Sequence, residues 1–384
     1  VKLIYLAPIR LPTEKAHGLQ IVQNCEAFAQ NGAQMELWAA RRINTAELRE
    51  VRDIWTHYGV AQNFLVRRLP CIDLLPWSGE AGGVVTRFSF ALFTVSYALM
   101  AVLMLLFVRA DVIYSRDPLT LMAAGLLNIR RRKLVYEVHA LAQSGRAKIL
   151  QTWAMRFSRL TIAITPPMRD DLLASLPDAP MMVAHDGVRA ERFASPPTMA
   201  AARAELGWPS EGLIVGYVGR LHTMGMSKGV DTLIHAIAQM PESLRPAIGI
   251  VGGPDNQAEA CRQLWISLGL PSEKFLYAGQ LSAARVPVAL AACDILAMPL
   301  PYTPHFARHA SPLKLFEYMA AGRAIVATEL ESYADVVTSG RDALLTPPGD
   351  AVALSEALSR LASDAGLRDR LGQQARTRAL SLYS

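Results

Sequence analysis

The chain of 384 residues is poor in charge, with 19% Asp, Glu, Lys and Arg against 52% hydrophobic residues. Its four cysteines (Cys25, Cys71, Cys261 and Cys293) stand far apart, make no C-x-x-C pair and each lie in or near an apolar run. That excludes a disulfide scaffold and predicts buried free thiols in a reducing compartment. His17, His139, His185, His222, His305 and His309 are scattered without ligand spacing, so no metal cluster is legible. No Asp-x-Asp motif follows a strand pattern, and chemistry without a metal or other cofactor is the expectation. No two carboxylates stand out as the close pair that retaining glycosidases need. Short-period repeats, low-complexity runs and nucleic-acid motifs are missing too. No signal-peptide pattern is seen, because Lys2 opens a short strand that stops at Pro8.

What is present is length and alternation. Such a chain can bury two full cores, and strand and helix patterns alternate throughout, which predicts a parallel sheet in each half. Strands are expected at 2–8, 35–40, 64–69, 112–115, 133–139, 161–165 and 181–184. A second set is expected at 213–219, 247–252, 274–279, 295–300, 324–328 and 343–346. Helices are expected over 18–31, 351–362 and 366–384. Ser195, Pro196 and Pro197 mark the linker. The domains are therefore 1–192, 193–365 and a terminal helix, 366–384.

Residues 311–328 carry the most information. Leu313, Phe316, Met319 and Ala320 recur at helical spacing, Gly322 stops the helix, and 324–327 reads as a buried strand. Opposite the apolar stripe stand Ser311 at the helix start, Lys314 on its first turn and Glu317 on its second. A helix N-terminus seats a phosphate, Lys314 adds charge, and a carboxylate one turn on suits a vicinal diol. Diphosphate followed by ribose is the layout of a sugar nucleotide. An amphipathic helix packed on a sheet is the plainer alternative. Upstream, the strand 213–219 ends in Gly219 and Arg220, and Lys228-Gly229 opens a helix. Arg220 and Lys228 thus flank a loop at the carboxyl end of a strand, where open α/β sheets bind ligands. Arg suits bidentate phosphate contact, and Lys acts as a point charge.

In the first half, His139 closes an apolar strand, and Glu137 shares its face two residues earlier. A satisfied strand-end histidine is one reading, a ligand contact another. Arg116 and Asp117 follow the strand 112–115, at another strand end of the same sheet. Lys15, His17 and Gly18 fill the first strand–helix loop. Gly18 would let backbone approach a phosphate, and Lys15 adds a cation to the same loop.

These motifs resemble the retaining glycosyltransferases of family 4, which have the GT-B fold. The C-terminal half is similar to their nucleotide-sugar domain at Gly219, Arg220, Lys228, Gly229, Asp231 and Leu233, and again over 317–328. The N-terminal half is similar at 12–18, at Val138-His139, and at Asp186-Gly187-Val188 beside an interdomain Asn-Gly-Val. One position departs: many members carry a second glutamate eight residues before the Glu317 position, where this chain has His309.

The resemblance implies two Rossmann-like β/α/β domains with parallel sheets facing a central cleft, and a C-terminal helix returning to the N-terminal domain. It implies His139, Arg220 and Lys228 as catalytic residues. Gly18, Gly219, Arg220, Lys228, Ser311, Pro312, Leu313, Lys314 and Glu317 would hold the donor, with Lys15, His17, Arg116 and Asp117 on the acceptor side. The activity implied is metal-independent transfer from a UDP-, GDP- or ADP-sugar to a glycan or lipid-linked acceptor in cell-envelope polysaccharide or glycolipid assembly. The acceptor would attack the sugar on the face the phosphate leaves, the leaving phosphate taking the acceptor's proton. A GT-B-fold sugar-nucleotide epimerase, or an inactive sugar-nucleotide-binding subunit, are the alternatives.

Charge is unevenly shared. Residues 1–190 hold 22 Lys and Arg against 15 Asp and Glu, leaving +7, and the rest hold 17 against 18, leaving −1. Residues 88–108 are almost wholly apolar between Arg87 and Arg109. One reading is a buried crossover helix. The other is a helix dipping into the interface of an anionic membrane, with Arg130, Arg131, Arg132 and Lys133 at headgroup level. A full span would split one sheet across the bilayer. The expected location is cytoplasmic, at the inner face of the membrane, with no nucleic-acid partner.

Overall fold

The computed structural model describes the chain except residues 14, 78–82, 128–130 and 224. It divides into two compact units, 1–164 with 168–184, and 165–167 with 185–384. The division therefore falls at Ala184/His185, ahead of the Ser195-Pro196-Pro197 segment.

In the first unit seven parallel strands form one sheet, ordered β3-β2-β1-β4-β5-β6-β7. They are β1 (Lys2–Ala7), β2 (Gln34–Ala40), β3 (Leu65–Leu69), β4 (Val112–Ser115), β5 (Lys133–Val138), β6 (Leu160–Ala163) and β7 (Met181–Val183). All seven were expected; the inner strands read as apolar runs, as strands covered on both faces do, whereas the edge strand β3 carries exposed Arg67 and Arg68. In β1, Leu3, Tyr5 and Ala7 enter one core while Ile4 and Leu6 enter the other. The chain leaves β1 toward β2 on one side, and β4 lies on its other side. This is the switch point at which such sheets open a crevice. Ser115 closes the gap there, its hydroxyl donating to Leu6 O at 2.7 Å and accepting from Asp117 N at 3.0 Å.

The apolar segment forms the helix Val84–Phe107. Phe93, Tyr97, Ala101 and Leu105 enter the sheet's core, and Tyr97 Oη donates to Trp38 O at 2.5 Å. Arg132 is not at headgroup level. It is buried, and its guanidinium donates to Leu105 O and, at 2.9 Å, to Val108 O, satisfying carbonyls at the end of that helix. Arg130 lies outside the described residues.

The second unit has a six-stranded parallel sheet, ordered β12-β11-β8-β13-β14-β15, and a small hairpin. Its strands are β8 (Ile214–Val218), β11 (Ala247–Val251), β12 (Phe275–Tyr277), β13 (Ile295–Met298), β14 (Ala324–Thr328) and β15 (Leu344–Thr346). The hairpin pairs β9 (His222–Thr223) with β10 (Met226–Ser227) inside the loop after β8, and strand periodicity gave no sign of it. The terminal helix Ala365–Leu382, read from sequence as returning to the first domain, packs on the helix Leu313–Ala321 and on β14 in the second unit. Val188 N donates to Tyr383 O at 2.7 Å, so the Asp186-Gly187-Val188 segment anchors the chain's end.

Here the switch point lies between β8 and β13, which pair only at Ile295↔Val215 and Leu296↔Gly216. Beyond that the strands part, and Val218 turns its backbone toward the gap. Tyr318, from the helix Leu313–Ala321, fills it: its buried hydroxyl accepts from Val218 N at 2.8 Å and donates to Val218 O at 3.3 Å. Tyr318→Phe should strand both groups, and burying an unsatisfied polar group costs about 1–3 kcal/mol. Urea unfolding followed by circular dichroism should show a lowered midpoint. An unchanged midpoint would mean that another group satisfies Val218.

Candidate active site

The second unit's candidate residues gather at the carboxyl end of β8. Tyr318 fixes its helix against Val218, and the next residue, Gly219, passes beneath the stem of Lys314. A Cβ on Gly219 would meet Lys314 Cε at 1.9 Å, so glycine is what admits the lysine. Gly229 is constrained twice: its φ is +77°, and a Cβ there would meet Pro299 O at 1.7 Å. It caps the helix Val230–Gln239 in the left-handed region and so carries Lys228 toward the end of β13.

Lys228 and Lys314 therefore come together. Burial, reinforced by the charge of Lys314, pushes Lys228 down to about 8. Burial also lowers Lys314, with Glu317 opposing it. Lys228 Nζ lies 4.0 Å from the centre of the Phe306 ring. His305 adds to the cluster and is lowered by burial, then by Lys228 and His309. Arg220 is exposed at the end of β8. Two crowded ammonium groups whose charge burial disfavours, with a further guanidinium on the same loop, make a seat for an anion.

The helix Leu313–Ala321 starts at Pro312, and no side chain caps it, which leaves its first N–H groups to a ligand. Ser311, expected to start the helix, lies before it and accepts from Asp186 N at 3.0 Å. Leu313 is only half-buried, and Leu315 and Tyr318 take the core positions beside Phe316, Met319 and Ala320. Glu317 faces Arg192 Nη1 at 3.5 Å. Sequence reasoning missed Arg192, which stands in the 3-10 turn Ala190–Phe193. Only its neighbourhood to Asp186-Gly187-Val188 could have pointed to it.

The first unit has its own recess at its switch point, about 280 Å³, lined by residues that include Tyr5, Pro8, His17, Arg116, Asp117 and His139. His17, Arg116, Asp117 and His139, singled out in sequence, all line this recess. Two of them have structural duties. Arg116 grips Glu137 through Nε at 2.8 Å and Nη2 at 3.0 Å, and donates from Nη1 to Gln20 Oε1 at 3.3 Å. Asp117 caps the helix Pro118–Leu126, accepting from Thr120 N at 2.7 Å and Thr120 Oγ1 at 2.5 Å. Gly18 has a packing reason as well: a Cβ would meet the Thr13 methyl at 2.2 Å, and its N–H already bonds Lys15 O at 3.0 Å. Lys15 is exposed at the helix start and does not line the recess.

Two family models match the chain: glycosyltransferase family 4 over residues 20–192, and glycosyl transferases group 1 over residues 212–364. A D-inositol 3-phosphate glycosyltransferase of Streptomyces bingchenggensis is 30% identical over 225 residues, covering 56% of this chain and 47% of that protein. A phosphatidyl-myo-inositol mannosyltransferase of Mycobacterium leprae is 28% identical over 186 residues, 48% of this chain and 45% of that one. The chain thus matches about half the length of these relatives. Among solved structures, sucrose-phosphate synthase from Thermosynechococcus elongatus aligns with a TM-score of 0.73 at 20% identity, covering 100% of this chain and 95% of that one. Anabaena HepE, solved in complex with UDP, aligns with a TM-score of 0.72 at 19% identity, covering 100% and 96%. The fold is therefore GT-B.

The depressed Lys228 has a consequence for pH. Its folded value lies below that of the unfolded chain, so its charged form costs stability below pH 8, and stability should rise between about 8 and the free-lysine value. A bound diphosphate should restore the proton. Calorimetry of nucleoside diphosphate binding near pH 8, in buffers of different ionisation enthalpy, should report net proton uptake. Lys228→Met should abolish it.

Proposed function

The chain belongs to the family 4 and group 1 glycosyltransferases, and we propose that it moves a sugar from a nucleoside-diphosphate donor to a glycan or lipid-linked acceptor with retention of configuration. The observation that carries this reading is the pairing of Lys228 and Lys314 over Gly219 at the second unit's switch point. A diphosphate leaving group gains negative charge as the sugar–oxygen bond breaks. Pre-placed cations and helix N–H groups stabilise that charge without reorganising. Glu317 is one turn beyond Lys314 and would accept from the ribose hydroxyls, with Arg192 holding its carboxylate. We assign the charge stabilisation to Arg220, Lys228 and Lys314. The first unit's recess, with His17 and His139, would take the acceptor.

The acceptor is proposed to lie at the cytoplasmic face of an anionic membrane. Phe93, Tyr97 and Ala101 of the helix Val84–Phe107 are core, but Phe88, Val95, Leu99, Leu103 and Phe107 are exposed along its other face. Ile149 and Trp153 add exposed apolar surface on the helix Gly145–Phe157. Neither of these helices, nor Pro118–Leu126 between them, contains an Asp or Glu. Arg87, Arg109, Arg146, Lys148 and Arg156 are exposed on or beside them. An apolar stripe flanked by these cations suits a negatively charged lipid surface.

Incubation with a panel of sugar nucleotides separates the readings: transfer or hydrolysis supports a transferase, C2 inversion an epimerase, and binding alone an inactive subunit. Arg220→Ala and Lys228→Ala should each lower kcat/KM at least about tenfold, because a charge-assisted hydrogen bond contributes about 1.5–3 kcal/mol. Unchanged kinetics in both folded variants would remove the diphosphate assignment. In flotation assays the protein should bind liposomes containing anionic lipid at low salt, bind neutral ones less, and come off as salt screens the charge. Reversing Arg146, Lys148 and Arg156 should weaken binding without unfolding. Failure to bind anionic liposomes at low salt would make the acceptor a soluble one.

A further inference from the structure

Glu137 is the hub of a buried network at the first unit's switch point. Arg116 donates to both its oxygens, Nε to Oε2 at 2.8 Å and Nη2 to Oε1 at 3.0 Å. Tyr5 Oη donates to Oε2 at 3.4 Å, and His139 Nε2 lies 2.8 Å from Oε1. Glu137 is only 6% exposed. Burial pushes its carboxyl up, but the His139 and Arg116 hydrogen bonds and the Arg116 charge outweigh that and hold it at about 2. A carboxylate ionised throughout the neutral range accepts and never donates. The histidine nitrogen that faces it must therefore carry a proton, whether the ring is neutral or charged. Nδ1 is then the ring nitrogen left for a ligand in the recess that His139 lines.

We propose that Glu137 is a positioning residue that locks His139 in the Nε2–H tautomer, so that the neutral ring offers Nδ1 as an acceptor to a sugar or acceptor hydroxyl. Arg116, expected from sequence to touch the acceptor, acts one step behind, by holding Glu137 ionised and oriented. The arrangement follows a general rule for histidine: the bond made by one ring nitrogen sets the role of the other. It rests on the reading of this recess as the place where sugar and acceptor hydroxyls bind.

The tautomer is read directly by nitrogen-15 spectroscopy of the histidine-labelled chain without substrate, with the His139 signal identified from a His139→Asn sample. In the wild type, recorded where the ring is neutral, Nε2 should be protonated and Nδ1 bare. The reverse pattern overturns the proposal whether or not any variant folds. Glu137→Gln keeps the volume but adds an amide that can donate to Nε2, which releases the ring to its Nδ1–H form. That variant should shift His139 toward the other tautomer and lower kcat at least tenfold, with donor KM within about twofold. A folded Glu137→Gln chain with the wild-type tautomer and wild-type kcat sinks the proposal. If the tautomer is locked as described but no sugar nucleotide supports transfer, Glu137 keeps its role and the transferase reading fails instead.

Discussion

The grip of Tyr318 on Val218 is the contact on which the second unit's site depends. A parallel sheet must open where its strand order reverses, and at that opening one strand has backbone groups with no neighbour. In this chain a tyrosine from the following helix supplies both missing partners. The same contact fixes the helix at the depth and angle that carry Lys314 across Gly219. The hydrogen bonding that completes the sheet and the geometry that gathers the cations are one arrangement. The first unit meets the same need with Ser115, whose hydroxyl bridges Leu6 and Asp117 at its own switch point.

The two openings differ in electrostatic character. In the second unit, Lys228, Lys314 and His305 crowd together with their charged forms disfavoured, which leaves attraction for an anion in reserve. In the first unit the charges are already matched: Arg116 and His139 converge on one carboxylate that they keep ionised. The first arrangement is suited to neutralising a diphosphate. The second is suited to fixing the orientation of an imidazole, since its net demand for a counter-charge is small. A donor site and a hydroxyl-recognition site need those two different things.

Much of this was legible in the sequence for identifiable reasons. The inner strands of both sheets appear as apolar runs because both faces are covered, and the strand ends were placed within a residue or two. Arg220, Lys228, Lys314 and Glu317 were singled out by residue type and spacing, but the pairing in the structure is Lys228 with Lys314. What the sequence could not give was partnership. Arg116 and Asp117 read as ligand-facing because they follow a strand; both line the recess, and each also has a structural partner, Glu137 for one and a helix N-terminus for the other. Arg132 read as a surface cation, although its guanidinium satisfies carbonyls at a helix end. Gly18 read as a phosphate contact, and the Thr13 methyl adds a packing reason for glycine there that the sequence did not show. Arg192 carried no local signal, because its partner Glu317 lies far along the chain.

The central claim is that Lys228 and Lys314, brought together over Gly219, form the seat of the donor diphosphate. The most direct measurement is a crystal structure of the chain grown with whichever of UDP, GDP and ADP binds it in calorimetry. The account predicts diphosphate oxygens within hydrogen-bonding distance of both lysine ammonium groups and of the first N–H groups of the helix Leu313–Ala321. A well-ordered diphosphate elsewhere, with the two lysines unmoved and uncontacted, would contradict it.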